Sequence, residues 1–157
     1  MMANVQRRTP SHEPPLVPPP VTRLYPSLDG PTRVLLAEDD DAMRELIAEA
    51  LRAKGYHVFE ATNGPELRDW LHRSQNEPGF EPPPDLIVSD VKMPGATGLE
   101  VLSWLRQRDW STPVILITAF GDAESHHEAE RLGATMFNKP LSIDSLVFAA
   151  LVLAEPR

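Results

Sequence analysis

The sequence has 157 residues, with 15 Lys and Arg against 23 Asp and Glu, and a formal net charge of −8 at pH 7. This length suits one domain of usual size with an additional segment, and the acidic charge gives no support to direct nucleic-acid binding. Because the sequence contains no cysteine, disulfide scaffolds, Cys-ligated zinc, iron–sulfur clusters and thiol nucleophiles are excluded.

Proline is unusually frequent near the start of the chain. Residues 1–31 contain eight of the 17 prolines and no periodic apolar pattern, which predicts a proline-rich disordered leader. The leader lacks the apolar region of a secretion signal. No apolar run reaches the ~18 residues of a membrane helix. We therefore expect a cytoplasmic protein without membrane contact.

Alternating strands and helices are predicted from residue 33 onward. The apolar run over 33–37 is typical of a strand buried on both faces, and it stops at a group of acidic residues. Apolar spacing then predicts an amphipathic helix from Asp41, its expected N-cap, to Lys54. A strand over 56–60, a turn before Pro65 with a second helix, and a proline-rich loop over 74–84 follow.

The second half of the sequence continues this alternation. Apolar runs predict strands over 85–90, 113–118 and 134–138. Helices are predicted from a capping box at 97–100, over roughly 122–132, and from Ser142 to about Ala154. Buried strands separated by helices imply an α/β fold with a parallel sheet covered by helices on both faces.

Polar residues stand where the predicted strands end. Glu38 and Asp39 follow the first strand, Asp90 ends the third, Thr118 ends the fourth and Lys139 follows the fifth. Ligands bind beyond these ends in parallel α/β sheets, so we expect the five residues to meet at one rim. Clustered carboxylates need a balancing cation, and oxygen ligands favour Mg²⁺, with Mn²⁺ as an alternative. The set predicts phosphoryl transfer, with Asp90 as the candidate nucleophile.

Each of these residues alone has an ordinary explanation. Acids after strands often cap the next helix, which is the role we expect for Asp40 and Asp41. A single Lys-Pro pair carries no information. The joint pattern, with such residues at the ends of four different strands, is far less frequent by chance.

Four motifs spread over 32–154 carry a family resemblance. They are VLLAEDD at 34–40, LIVSDVKMPG at 86–95, ILITA at 115–119 and NKP at 138–140. Together they resemble the receiver domain of two-component response regulators. The resemblance implies a flavodoxin-like (βα)5 three-layer sandwich with strand order 2-1-3-4-5, formed by residues 32–154.

The resemblance also implies roles for the residues at the rim. Asp90 would accept a phosphoryl group from a histidine kinase or phosphotransfer protein, Lys139 would contact the phosphoryl oxygens, and Thr118 would hydrogen-bond them and move on activation. The implied Mg²⁺ ligands are Glu38, Asp39, Asp90 and the backbone carbonyl of Lys92. Phosphorylation would add about −1.5 to −2 charge at Asp90, which Thr118 and Lys139 could sense.

Two departures from the family pattern concern switching and lifetime. Many members have Tyr or Phe three residues before the lysine, whereas this sequence has Met136 there, and strand alternation predicts that Phe137 points to the opposite face. Neither Lys92 nor Phe120, at two positions that tune dephosphorylation, is suited to orient an attacking water. We therefore expect slow self-dephosphorylation.

Three alternative functions are weighed against this interpretation. A phosphatase with an aspartyl-phosphate intermediate commonly needs a second Asp where this sequence has Lys92. A nucleotide- or flavin-binding domain would need a glycine-rich motif after the first strand, which is absent. A degenerate receiver acting as a scaffold would have lost acids or the lysine, and these are intact.

The composition of the last predicted helix indicates where partners bind. It is more apolar than a solvated helix needs, which indicates an interface. We expect a downstream protein partner or a homodimer to bind through the last two helices. The chain ends directly after that helix, so we expect no DNA-binding output domain within it.

Overall fold

The part of the chain that can be described covers residues 30–119 and 123–157 of a computed structural model. The predicted leader over 1–31 therefore lies outside the described residues, apart from Gly30 and Pro31, which are both exposed. The predicted domain over 32–154 lies within them, except for residues 120–122.

Five strands alternate with five helices along this domain. They are β1 Arg33–Ala37, α1 Asp41–Arg52, β2 His57–Ala61, α2 Gly64–Asn76, β3 Leu86–Asp90, α3 Gly98–Arg106, β4 Val114–Thr118, α4 Ala123–Arg131, β5 Thr135–Asn138 and α5 Ile143–Leu153. The strands form one parallel sheet in the order β2-β1-β3-β4-β5. The flavodoxin-like fold and its strand order are thus confirmed.

Two apolar cores cover the two faces of the sheet. Side chains alternate between faces along each parallel strand, so neighbouring residues enter different cores. Leu35 and Leu116 pack with α2 and α3 residues in one core, whereas Leu36 and Ile115 pack with α1 and α5 residues in the other. All residues of β3 and β4 are buried, as the continuous apolar runs indicate.

Two predicted boundaries are wrong. Helix α1 is capped by Asp40 rather than Asp41, because the Asp40 side chain accepts a hydrogen bond from the Met43 backbone nitrogen at 2.9 Å. Asp41 instead pairs with Arg44 at 2.7 Å. The proline-rich loop begins after residue 76, not at 74, because α2 extends to Asn76. Of the other predicted elements, β1 matches the structure, and the rest differ from it by at most two residues at their predicted ends.

Contacts at the amino-terminal edge of the sheet hold the end of the chain. The Tyr56 hydroxyl donates to the Ala154 carbonyl at 2.6 Å, and the Arg157 guanidinium lies 3.2 Å from Asp85. This edge is opposite the strand ends where the predicted site residues lie. Among the described helices, none has both the length and the apolar character needed to cross a bilayer.

Candidate functional site

The carboxyl ends of the central strands bring the predicted site residues to one level. Parallel pairing aligns Ala37 with Ser89, and Asp90 with Ile117, so Glu38 follows β1 beside the end of β3. Lys139 follows β5 directly, and its backbone nitrogen donates to the Thr118 carbonyl at 2.8 Å. The sheet therefore sets residues that are distant in sequence next to each other.

Three carboxylates form a cluster at this rim. Oxygen atoms of Glu38, Asp39 and Asp90 lie within 4.8 Å of one another. Glu38 is fully buried and Asp90 is 3% exposed, whereas Asp39 is open to solvent. Within the described ranges this is the one group of three side chains placed to hold a metal ion.

In Glu38 the charged form of the carboxylate is disfavoured by its surroundings. Its Oε1 atom accepts a hydrogen bond from the Asp40 nitrogen at 3.3 Å, but its Oε2 atom is buried without a hydrogen-bond partner. Burial, together with the negative charge of Asp90, raises the pKa of Glu38 from 4.5 to about 7. An unpartnered carboxylate oxygen beside two further acids fits a hard divalent cation such as Mg²⁺ or Mn²⁺.

Lys139 supplies the positive charge of the site. Its Nζ atom lies 2.8 Å from Asp90 Oδ2 and 3.5 Å from Glu38 Oε1. Burial works against its charged form, but the hydrogen bond to Asp90 and the two carboxylate charges raise the pKa of Lys139. The lysine therefore stays cationic at the point where additional negative charge would develop.

The turn after β3 fixes the Asp90 side chain. Asp90 Oδ1 accepts a hydrogen bond from the Lys92 backbone nitrogen at 3.0 Å, and Gly98 donates to the Val91 carbonyl at 3.0 Å. A Cβ atom at Gly98 would lie 2.5 Å from the Asp90 carbonyl oxygen. Only glycine allows α3 to begin this close to the strand end.

Thr118 and the β5 side chains occupy the positions that alternation predicts. Thr118 is buried, with 3% exposure, at the last position of β4. Met136 packs in the core shared with α2 and α3, whereas Phe137 packs in the core shared with α1 and α5. The prediction that Phe137 points away from the face of Met136 is confirmed. Phe120 lies outside the described residues.

Arg44 is a site-supporting residue that the sequence did not reveal. Its guanidinium donates to the Glu38 carbonyl at 2.9 Å and also contacts Asp41 and Glu60. These bonds tie the β1–α1 turn to the first turn of α1 and to β2. An arginine on the face of an amphipathic helix gives no sequence signal for such a role.

Comparisons with known proteins agree with this geometry. The sequence model of the response regulator receiver domain matches residues 34–150. Sporulation initiation phosphotransferase F of Bacillus subtilis is 33% identical over 115 residues, which are 73% of this chain and 86% of that protein. The polar-differentiation response regulator DivK of Brucella anthropi is 30% identical over 120 residues, covering 74% and 91% of the two chains.

Solved structures show the same similarity. The receiver domain of Francisella response regulator 1452 has a TM-score of 0.66 at 29% identity, with 78% of this chain and 95% of that chain covered. The chemotaxis protein CheY4 of Vibrio cholerae has a TM-score of 0.64 at 26% identity, with 78% and 98% covered.

Several relatives are much longer than this chain. The chain covers 27% of the C4-dicarboxylate transport transcriptional regulatory protein DctD of Pseudomonas aeruginosa, with 33% identity over 139 residues. What such relatives share with this chain is thus one region and not their whole length. The family match over residues 34–150 and the fold together show that the chain belongs to the response regulator receiver domain family of two-component systems.

Proposed function

We propose that Asp90 is the phosphoryl acceptor of this receiver domain. The observation that carries the proposal is the 2.8 Å contact between Asp90 Oδ2 and Lys139 Nζ at the rim where three carboxylates cluster. The Asp90 carboxylate forms a P–O bond while the P–N bond of a phosphohistidine breaks, and the imidazole leaves and takes up a proton. Lys139 compensates the negative charge that arrives on Asp90.

The second part of the proposal is a metal site beside Asp90. Glu38, Asp39 and Asp90 would hold Mg²⁺, or Mn²⁺, together with the backbone carbonyl of Lys92, whose residue lies in the same turn. The ion would neutralise the acids and the transferring phosphoryl oxygens. The buried, unpartnered Oε2 atom of Glu38 supports this assignment.

The third part of the proposal concerns how the domain responds to phosphorylation and how long the phosphoryl group stays. Thr118 would hydrogen-bond a phosphoryl oxygen and move with it, since it ends the strand next to β3. Met136 replaces the aromatic switch of many family members, so the rearrangement would proceed without a rotating ring on that face. Slow self-dephosphorylation is proposed because Lys92 offers no carboxylate or amide to orient water. Loss of the phosphoryl group within seconds would refute slow dephosphorylation.

The proposed partners are a cytoplasmic histidine kinase or phosphotransfer protein upstream, and a protein partner or second copy downstream. Helix α5 supports the downstream part because Phe148 and Val152 are 68% and 69% exposed on one face. We propose that this face, with α4, changes contacts on phosphorylation. Sedimentation with and without a phosphodonor separates the homodimer from a different downstream partner.

Intact mass spectrometry tests the acceptor role. The full chain is incubated with acetyl phosphate and Mg²⁺, and we expect the mass of one phosphoryl group to be added. Asp90→Asn should abolish the addition, while Asp144→Asn, which removes an exposed carboxylate on α5, should not. No addition to the unsubstituted protein, or equal addition to Asp90→Asn, would refute the proposal.

A further inference from the structure

A groove between α2 and α3 is separate from the acidic cluster. It is open to solvent, has a volume of about 390 Å³, and is lined by residues of α2, of the loop between β3 and α3, and of α3 and the turn after it. We propose that this groove docks an acidic segment of a protein partner.

Two cations lie close to one aromatic ring in the groove. The guanidinium carbon of Arg108 lies 4.2 Å from the Trp104 ring centroid, and that of Arg68 lies 5.9 Å from it. Arg108 also donates through Nη1 to the Trp104 carbonyl at 3.1 Å, and stacking on the ring leaves its other N–H groups open to a carboxylate. Trp104 is half-buried, whereas both arginines are exposed.

These two arginines differ from most others in the described ranges. Six arginines there form salt bridges with carboxylates: Arg33, Arg44, Arg52, Arg73, Arg131 and Arg157. In those ranges Arg68 and Arg108 form none, although Asp69 also lines the groove. The groove thus carries two arginines against one carboxylate, a net positive charge in a chain whose net charge is −8.

The composition of the groove favours a protein over a nucleic acid. Tryptophan and arginine are the residues that most often dominate protein–protein binding energy, and Pro65 and Ala96 add apolar surface around Trp104. An extended polyanion would meet the repulsion of the acidic domain, which a segment with one or two carboxylates largely avoids. A partner segment with acids on either side of an apolar residue matches two arginines near the Trp104 ring.

The floor of the groove is built before any partner binds. Gly95 has a φ of +86°, and a Cβ atom there would lie 2.6 Å from Pro65 Cγ. The Gly64 nitrogen also donates to the Pro94 carbonyl at 3.3 Å. These contacts hold the start of α2 against the loop, so docking requires little ordering of the backbone.

Nuclear magnetic resonance on the full chain tests this docking surface. Because the sample contains neither Mg²⁺ nor a phosphodonor, the result is independent of the phosphoryl chemistry. The probe is an acetylated, amidated ten-residue peptide with two glutamates flanking a leucine. We expect salt-sensitive shifts of the Trp104 indole N–H and of the backbone around residues 65–72 and 95–108. A peptide with glutamine in place of glutamate should bind at least about tenfold more weakly, because it lacks the charge.

Charge reversals supply the matched controls. Arg68→Glu and Arg108→Glu should each weaken binding of the glutamate peptide by at least about tenfold. Arg131→Glu, an equal charge reversal on α4, should leave that binding unchanged. Melting curves establish that each variant folds. Absent shifts, equal binding of the glutamine peptide, equal weakening by Arg131→Glu, or tighter binding of a single-stranded oligonucleotide would each overturn the proposal.

Discussion

The Nζ atom of Lys139 lies 2.8 Å from Oδ2 of Asp90, although 49 positions separate the two residues in sequence. The contact spans the carboxyl edge of β4, which lies between β3 and β5 in the sheet. One lysine faces two buried carboxylates, Glu38 and Asp90, so the site has an excess of negative charge once Glu38 is ionised. That excess is what a divalent cation would balance.

Removing the lysine charge should slow phosphorylation. Lys139→Ala leaves the developing charge on Asp90 without its partner, and charge-assisted hydrogen bonds contribute about 1.5–3 kcal/mol. We expect the initial rate of labelling by acetyl phosphate to fall at least about tenfold. Lys54→Ala, which removes an exposed lysine after α1, is the control. An unchanged rate in Lys139→Ala would show that the ion pair has no part in the transfer.

The buried Glu38 predicts an unusual pH dependence of stability. Because the folded-state pKa is raised to about 7, the metal-free folded protein binds a proton that the unfolded chain releases above pH 4.5. The free energy of unfolding should therefore fall as the pH rises from 4.5 to 7 through this group. Mg²⁺ binding should weaken below pH 7, because it competes with that proton.

Urea unfolding without metal, at about pH 5.5 and about pH 7.5, measures this effect. Glu38→Gln cannot ionise, so its stability should fall less between the two pH values than that of the unsubstituted protein. Parallel changes in the two proteins would contradict the assigned pKa.

Gly98 should tolerate no side chain. A Cβ atom there meets the Asp90 carbonyl oxygen at 2.5 Å, and overpacking of this kind costs about 1–3 kcal/mol. Gly98→Ala should lower the urea midpoint and also slow labelling of Asp90, because the strand end must move. Gly79→Ala, at a position with a φ of +83° and nothing within 4 Å, should lower stability without affecting labelling. Equal labelling in both variants would contradict the positioning role.

Tyr56 should stabilise the end of the chain through its hydroxyl. Tyr56→Phe leaves the Ala154 carbonyl without the 2.6 Å hydrogen bond, and such bonds contribute about 0.5–1.5 kcal/mol. Burial raises the pKa of Tyr56, so its ionisation opposes folding and this contribution is lost as the pH rises above 10. Thermal unfolding of both proteins at neutral and alkaline pH checks this, and identical melting temperatures at neutral pH would contradict it.

The sequence was sufficient for the order of elements and for bringing the candidate site residues to one edge of the sheet. Continuous apolar runs ending in polar residues predicted strands buried on both faces, and the acids, Thr118 and Lys139 all lie at the ends of those strands. Parallel topology then brings these ends together whatever the details of packing. The strand order itself came from the family resemblance and not from the apolar pattern.

Details that depend on competition between neighbouring groups were not predictable. Asp40 and Asp41 have the same side chain, and only the structure shows that Asp40 is the N-cap whereas Asp41 pairs with Arg44. The stacking of Arg68 and Arg108 on Trp104 depends on how α2 and α3 pack against each other. The sequence pattern predicts that those helices exist but contains no information on which surface residues meet between them.

Reductive trapping tests the assignment of Asp90 most directly. Sodium borohydride converts an aspartyl phosphate to homoserine, so peptide sequencing by mass spectrometry identifies the residue that carried the phosphoryl group. After incubation with acetyl phosphate and Mg²⁺, we expect homoserine at position 90, and none when Mg²⁺ is removed with a chelator. Homoserine at Asp39 or another acid instead, or at no position, would contradict the assignment of Asp90 as the acceptor.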